Sequence, residues 1–187
     1  SMLRRVLPQA EALAEAIIQE GDAVVDATCG NGHDTKFLAG LVGAEGKVYS
    51  FDIQAEAIEN ARMLCSGHDN IEFILDSHGD VDSYTGDRAL KAAMFNLGYL
   101  PKGDKSITTT PDSTILAIQK LFDRLVDGGR IIIVVYHGHP GGKVERDVLM
   151  EQLSQWSQKE AQVLKYQFIN QKNDAPFLLC IEKNRHA

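Results

Sequence analysis

Cysteine is scarce. The chain has three among 187 residues, Cys29, Cys65 and Cys180, and none stands in a Cys-x-x-Cys pair. That excludes a disulfide framework and a cysteine-rich zinc fold, and an odd number without a basic-then-apolar leader points to reduced thiols in a cytoplasm. Long apolar runs are missing too. The longest, 131–136 and 177–181, fall far short of the ~20 residues a membrane helix requires. Basic side chains are outnumbered, 19 against 26 acidic, for a net charge of −7. Bulk attraction to nucleic acid is therefore absent. Repeats, linkers and low-complexity stretches are also lacking. His137 and His139 form the one close histidine pair and have no Cys or His companion at metal-ligand spacing, so no metal is expected.

What is present fits one globular domain over residues 2–187. Hydrophobic residues make up 44% and charged residues 24%, enough for a core and too apolar for disorder. Charge is uneven. Residues 1–99 carry 7 basic and 16 acidic side chains, net −9, whereas 100–187 carry 12 and 10, net +2. A phosphate-rich partner favours the second half.

Apolar runs and helical patterns alternate along the chain. Spacing predicts helices over 10–18, 34–41, 54–65, 110–125 and 143–156, and strands over 23–28, 47–52, 71–75, 89–96, 131–136, 163–169 and 177–182. Thr110-Pro111 is a helix start with Thr as N-cap and Pro in the first turn. Asp127-Gly128-Gly129 is expected to end that helix. Segment 77–88 gives no clear assignment, and 98–110 reads as a long, functional loop. The alternation specifies an α/β fold: a Rossmann-like, doubly wound sheet of about seven strands with the last antiparallel. Ligands in such sheets bind beyond the carboxyl ends of the strands.

The first such loop is Asp26-Ala27-Thr28-Cys29-Gly30-Asn31-Gly32-His33-Asp34-Thr35. Gly30 and Gly32 allow a tight turn and close backbone approach. Thr35 replaces the third glycine of a dinucleotide fingerprint, and Asp26 and Asp34 would repel a pyrophosphate. A ligand carrying an ammonium and a sulfonium suits them better, as S-adenosyl-L-methionine does. Asp52, 22 positions after Gly30, is placed to bind ribose hydroxyls, and Asp76 ends the third strand where an adenine amino group would sit.

After the fourth strand comes Asn96-Leu97-Gly98-Tyr99-Leu100-Pro101, a partial match to the Asn-Pro-Pro-Tyr motif of amino-methylating enzymes. The Asn96 side-chain carbonyl and the Leu97 backbone carbonyl can accept the hydrogens of an amine and aim its lone pair, which is catalysis by orientation. Tyr99 can stack on a base. After the fifth strand, Tyr136-His137-Gly138-His139-Pro140-Gly141-Gly142-Lys143 combines glycines with two imidazoles able to take a proton.

Together these blocks, with Thr109-Thr110-Pro111 and the ending Asn170-Gln171 … Pro176-Phe177, resemble a family of small bacterial class I methyltransferases long labelled rRNA methylases. The match is similar to the MnmM-type enzymes, which methylate the 5-aminomethyl group of 2-thiouridine at the tRNA wobble position. The resemblance implies that Asp26, Thr28, Gly30, Asn31, Gly32, Asp34, Thr35, Asp52, Ile53, Gln54, Asp76, Ser77, His78, Asn96 and Leu97 hold the cofactor. It implies that Asn96, Tyr99, His137 and His139 line the amine site. Gly98, Leu100, Pro101, Lys102, Lys105, Gly138, Pro140, Lys143 and Arg146 flank it as candidates for substrate contact, with Arg4 and Arg5 as helpers. The expected partner is the anticodon region of tRNA, which an acidic chain must hold through a local basic patch or a second subunit of a homodimer.

The residues themselves reach as far as an amine methyltransferase; the tRNA uridine comes from the resemblance. An rRNA or small-molecule amine methyltransferase is the enzymatic alternative. A noncatalytic cofactor-binding module would keep the first loop but need no Asn96–Tyr99 pair.

Overall fold

A computed structural model describes residues 2–98 and 110–186. Its elements in chain order are α1 Val6–Glu15, β1 Ala23–Asp26, α2 His33–Val42, β2 Lys47–Asp52, α3 Ala55–Leu64, β3 Ile71–Leu75, a 3-10 turn His78–Asp80, α4 Asp82–Thr85, β4 Leu90–Leu97, α5 Pro111–Arg124, β5 Leu125–Val135, α6 Pro140–Ser154, β6 Ala161–Tyr166 and β7 Phe177–Lys183. The strands form one sheet ordered β3-β2-β1-β4-β5-β7-β6. β1 pairs in parallel with β2 and β4, and β4 with β5. β7 runs antiparallel between β5 and β6.

Strand period 2 splits the core into two layers. Val24, Val48, Ala92, Met94, Ile132 and Val134 meet α1 and α2 on one face. Val25, Tyr49, Ala93, Phe95, Ile131, Ile133 and Val135 meet α5 and α6 on the other. Residues 131–135 are buried throughout, as expected of a strand covered on both faces.

The sequence reading and the structure part at element ends. α5 stops at Arg124, and Leu125 is already extended. Segment 125–129 is not a helix stop but the bulged opening of β5, where Leu90 faces Leu125 while Ala92 faces Arg130. Gly128, at φ +79°, supplies the turn that the extra residues require. Segment 77–88 folds as the 3-10 turn, with the Ser77 hydroxyl accepting from the Gly79 N–H, followed by α4. α6 begins three residues before the expected start, because His139 caps it and Pro140 sets its first turn. Among the described residues no helix is long and apolar enough to cross a membrane.

Candidate active site

The strand order reverses between β1 and β4, and there Asp26 and Asn96 end adjacent strands. Asp26 is fully buried. Its Oδ2 accepts from the Thr35 hydroxyl at 2.6 Å, and its Oδ1 from the Thr28 N–H at 3.2 Å. Thr35 is equally buried, and its oxygen lies 2.7 Å from the Ser50 hydroxyl. Asp26, Thr35 and Ser50 thus form one buried hydrogen-bonded row. The residue in the third-glycine position therefore props the loop from beneath.

Asp52 ends β2 and reaches across to the same loop. Its Oδ2 accepts from the Gly30 N–H at 2.8 Å and its Oδ1 from the Gln54 N–H at 2.9 Å. Gln54 is buried, Ile53 half-buried and Asn31 exposed. Gly32 takes a φ of +94°, and a Cβ there would meet Ala61 at 2.8 Å, so only glycine lets α3 pack under this turn. Next along the sheet edge, Asp76 donates its N–H to the Asp52 carbonyl. Its carboxylate accepts from the Ser77 N–H and from the Tyr84 hydroxyl, the latter at 2.6 Å. The Tyr84 bond holds the Asp76 carboxyl below the usual range.

The other three carboxyls behave differently. Burial pushes Asp26, Asp34 and Asp52 above the ordinary carboxylate range. Asp26 rises to about 8, by burial first and then by the charge of Asp34. A cation bound among these acids would relieve the desolvation cost of all three.

Asn96 connects this acidic pocket to the next loop. Its Nδ2 donates to Asp34 Oδ2 at 2.7 Å, and its backbone N–H donates to the Thr28 hydroxyl at 2.6 Å. That bond turns the amide nitrogen toward Asp34. The carbonyl oxygen is the amide's acceptor, on the other branch of the group from the nitrogen that Asp34 holds. The Leu97 carbonyl accepts from the Tyr136 N–H at 2.7 Å, which uses one of its two lone pairs.

Past β5, both imidazoles are occupied. His139 Nδ1 accepts from the Gly142 N–H at 3.2 Å, which puts the ring proton on Nε2, 2.6 Å from the Gly98 carbonyl. His137 Nε2 faces the Ala175 carbonyl at 2.9 Å, and Arg146 donates to its Nδ1 at 3.2 Å. Both nitrogens of each ring therefore face a partner within the protein. Arg146 also holds Asp147 at 2.9 Å. Lys143 is exposed, 3.6 Å from Asp174. Gly138 and Pro140 lie on the surface beside the histidines. Tyr99, Leu100, Pro101, Lys102 and Lys105 lie outside the described residues. His78 is buried, with Nδ1 3.0 Å from the Ala27 carbonyl, facing the loop's interior.

Three participants escaped the sequence reading: Tyr84, Thr114 and Glu145. Glu145 had a signal. It falls on the buried face of α6, in register with Gly142, Leu149 and Leu153, where an acid is out of place unless it has a partner.

The strand order, the reversed β7 and the acids closing β1, β2 and β3 define a class I methyltransferase architecture. Residues 48–182 match the family described as "Putative rRNA methylase", and the chain belongs to that family. A solved structure described as a "putative rRNA-methylase" from Clostridium thermocellum shares 45% identity at a TM-score of 0.94, covering 98% of this chain and 100% of its own. One described as a "putative methyltransferase" from Streptococcus mutans, in complex with SAH, shares 36% at a TM-score of 0.89, over 97% and 99%. The chloroplastic tRNA (mnm(5)s(2)U34)-methyltransferase of Arabidopsis thaliana is 40% identical over 147 residues, 72% of this chain and 54% of that protein. The chain spans about half the length of the curated relatives it matches.

Proposed function

We propose that this chain is an S-adenosylmethionine-dependent N-methyltransferase acting on the 5-aminomethyl group of wobble 2-thiouridine in tRNA. The observation that carries the reading is Asn96, whose side-chain nitrogen is held by Asp34 and whose backbone N–H is held by Thr28, which sets the direction of its carbonyl beside an acidic pocket. The tRNA relative supports the choice of amine. The cytoplasm and the anticodon region are part of the same reading, and a homodimer would supply RNA contacts that the acidic chain lacks.

The residues present fit the cofactor. Its ammonium and sulfonium suit the cluster Asp26, Asp34 and Asp52, and Asp52 is positioned to accept from ribose hydroxyls. When bound, the cofactor supplies a methyl group on a cationic sulfur. Asn96 accepts a hydrogen from the neutral amine and directs its lone pair, which is rate enhancement by orientation. No thiolate is needed. Cys29 and Cys180 are buried free thiols whose burial pushes each up to about 12.

Removing Asp52 tests the pocket. Asp52→Ala leaves the Gly30 and Gln54 N–H groups and two ligand hydroxyls without their acceptor, at a cost of about 2–3 kcal/mol. The dissociation constant for S-adenosylmethionine, measured by calorimetry, should rise by roughly 30–150-fold. An unchanged constant would place the ribose elsewhere.

Asp26 makes binding proton-linked. Its folded value, about 8, exceeds the ordinary 3.8. Its contribution to the stability of the free protein is therefore fully present below the unfolded value and is lost as pH rises toward 8. A bound cation favours the carboxylate, so binding near neutral pH should release protons and tighten as pH rises. Calorimetry in buffers of different ionisation enthalpy reads this directly. Binding with no proton exchange would contradict it.

Of the two described cations beside the histidine loop, Lys143 is the more exposed, since Arg146 is held by His137 and Asp147. Lys143→Ala should reduce the slope of log tRNA affinity against log salt by roughly 0.7–0.9. An unchanged slope would remove Lys143 from the RNA surface.

The functional test is nucleoside mass analysis of tRNA from cells lacking the gene. Unmethylated 5-aminomethyl-2-thiouridine should accumulate. Normal levels of the methylated nucleoside would overturn the reading.

A further inference from the structure

A buried polar chain runs between the loop after β1 and the end of β4. The His78 Nδ1 lies 3.0 Å from the Ala27 carbonyl, and its Nε2 lies 3.3 Å from the Thr114 hydroxyl. The same hydroxyl lies 3.1 Å from Glu145 Oε2. Glu145 in turn accepts from the Gly98 N–H. His78, Thr114 and Glu145 are at most 4% exposed, so water does not complete these bonds.

The hydrogens can be counted. The Ala27 carbonyl only accepts, so His78 Nδ1 carries a proton. Thr114 has one hydrogen and two neighbours that can each take it. Both bonds form only if one further proton resides on the chain, either on Glu145 or on His78 Nε2. Burial favours the uncharged arrangement, raising Glu145 and lowering His78. The groups facing Glu145 are His78 through Thr114, and His139 from the start of its own helix.

Gly98 is held at both ends of its residue. Glu145 takes its N–H and His139 donates to its carbonyl. Its φ is +78°, and a Cβ would lie 1.8 Å from the Tyr136 carbonyl oxygen. Asn96 stands two residues before it on the same strand.

We infer that Glu145 is a positioning residue for the amine site, fixing the Gly98 backbone, and with it Asn96, through a buried Glu145–Thr114–His78 chain anchored on the cofactor loop. This rests on the proposed methyl transfer. It assigns the chain a role in turnover, not in binding either substrate.

Glutamine at 145 keeps a partner for each neighbour: its NH2 can serve Thr114, which then donates to His78, and its carbonyl serves Gly98. Leucine serves neither. The test compares Glu145→Gln, Glu145→Leu and Thr114→Val, each shown by calorimetry to bind S-adenosylmethionine. Two quantities are read: hydrogen exchange of the Gly98 amide by NMR, and kcat and KM on tRNA. In Glu145→Leu the Gly98 amide should exchange at least about tenfold faster, and kcat should fall about 100-fold with cofactor affinity retained. Thr114→Val should lower kcat in the same direction. Glu145→Gln should stay close to wild type in both readouts. Unchanged Gly98 exchange in Glu145→Leu would overturn the inference. So would faster exchange with wild-type kcat, or a Glu145→Gln as impaired as Glu145→Leu. Wild-type protein that binds cofactor but leaves tRNA unmethylated would instead overturn the functional reading, and the clamp itself would then be judged on exchange alone.

Discussion

Asn96→Ala should bind S-adenosylmethionine nearly as well as wild type and turn over tRNA about 100-fold more slowly or worse. The expectation follows from what the side chain does. Its nitrogen is committed to Asp34 at 2.7 Å, so its carbonyl oxygen is fixed in direction before any substrate arrives. A preset acceptor lowers the entropic part of the barrier, and losing it costs on the order of 10²-fold. The backbone N–H to Thr28 survives in alanine, so the strand end keeps its place. Asn96→Asp is a sharper variant. It puts a second carboxyl against Asp34, which is already raised by burial, and one of the pair must hold a proton. That variant should be slow as well. Steady-state turnover beside calorimetric affinity separates the two effects. A fully active Asn96→Ala would remove orientation by this residue from the mechanism.

Gly98→Ala should lose both stability and activity. The new Cβ would fall 1.8 Å from the Tyr136 carbonyl oxygen, a backbone atom that no rotamer change can move, at a φ of +78°. Relief requires separating the ends of β4 and β5, which breaks the hold of His139 on the Gly98 carbonyl. At about 3 kcal/mol for this strain, Tm should drop by roughly 6–12 °C for a chain of this size. Turnover should fall about 100-fold or more, since the same shift carries Asn96 with it. Thermal denaturation and a tRNA assay check the two parts. A variant with wild-type Tm would show that the two strand ends do not approach this closely.

Where an element's chemistry is local, the sequence shows it. The run at 131–136 marks a doubly covered strand because only the centre of a sheet needs six apolar residues in a row. Asp52 is visible because a strand end 22 residues past Gly30 is where an α/β sheet uses an acid. Thr110-Pro111 is readable as a cap and a first turn, and it does cap α5. The His139-Pro140 pair performs the same job for α6 but is hard to recognise, since imidazole is an unusual cap. Its second nitrogen reaches Gly98, a long-range contact that no spacing encodes. The two histidines read in sequence as either loop residues or proton acceptors, and the partners that hold both rings, Gly142, Ala175, Arg146 and Gly98, come together only in the fold. Glu145 was the missed opportunity. An acid on the apolar face of α6 must have a buried partner, although His78, Thr114 and Gly98 could not be named in advance. Asp127-Gly128-Gly129 departs from its expected role as a helix end for a related reason. Asp-Gly-Gly ends many helices, whereas here the glycines serve a strand bulge imposed by pairing with β4.

The most direct test of the methyl-transfer reading is a single incubation. Purified protein, labelled S-adenosylmethionine and tRNA from cells lacking the gene are combined, and the tRNA is digested to nucleosides. The label should appear in 5-methylaminomethyl-2-thiouridine, in an amount that matches the loss of the 5-aminomethyl precursor, and it should be nearly absent with Asn96→Ala. Label confined to another nucleoside, or no transfer by a protein that binds the cofactor, would contradict it.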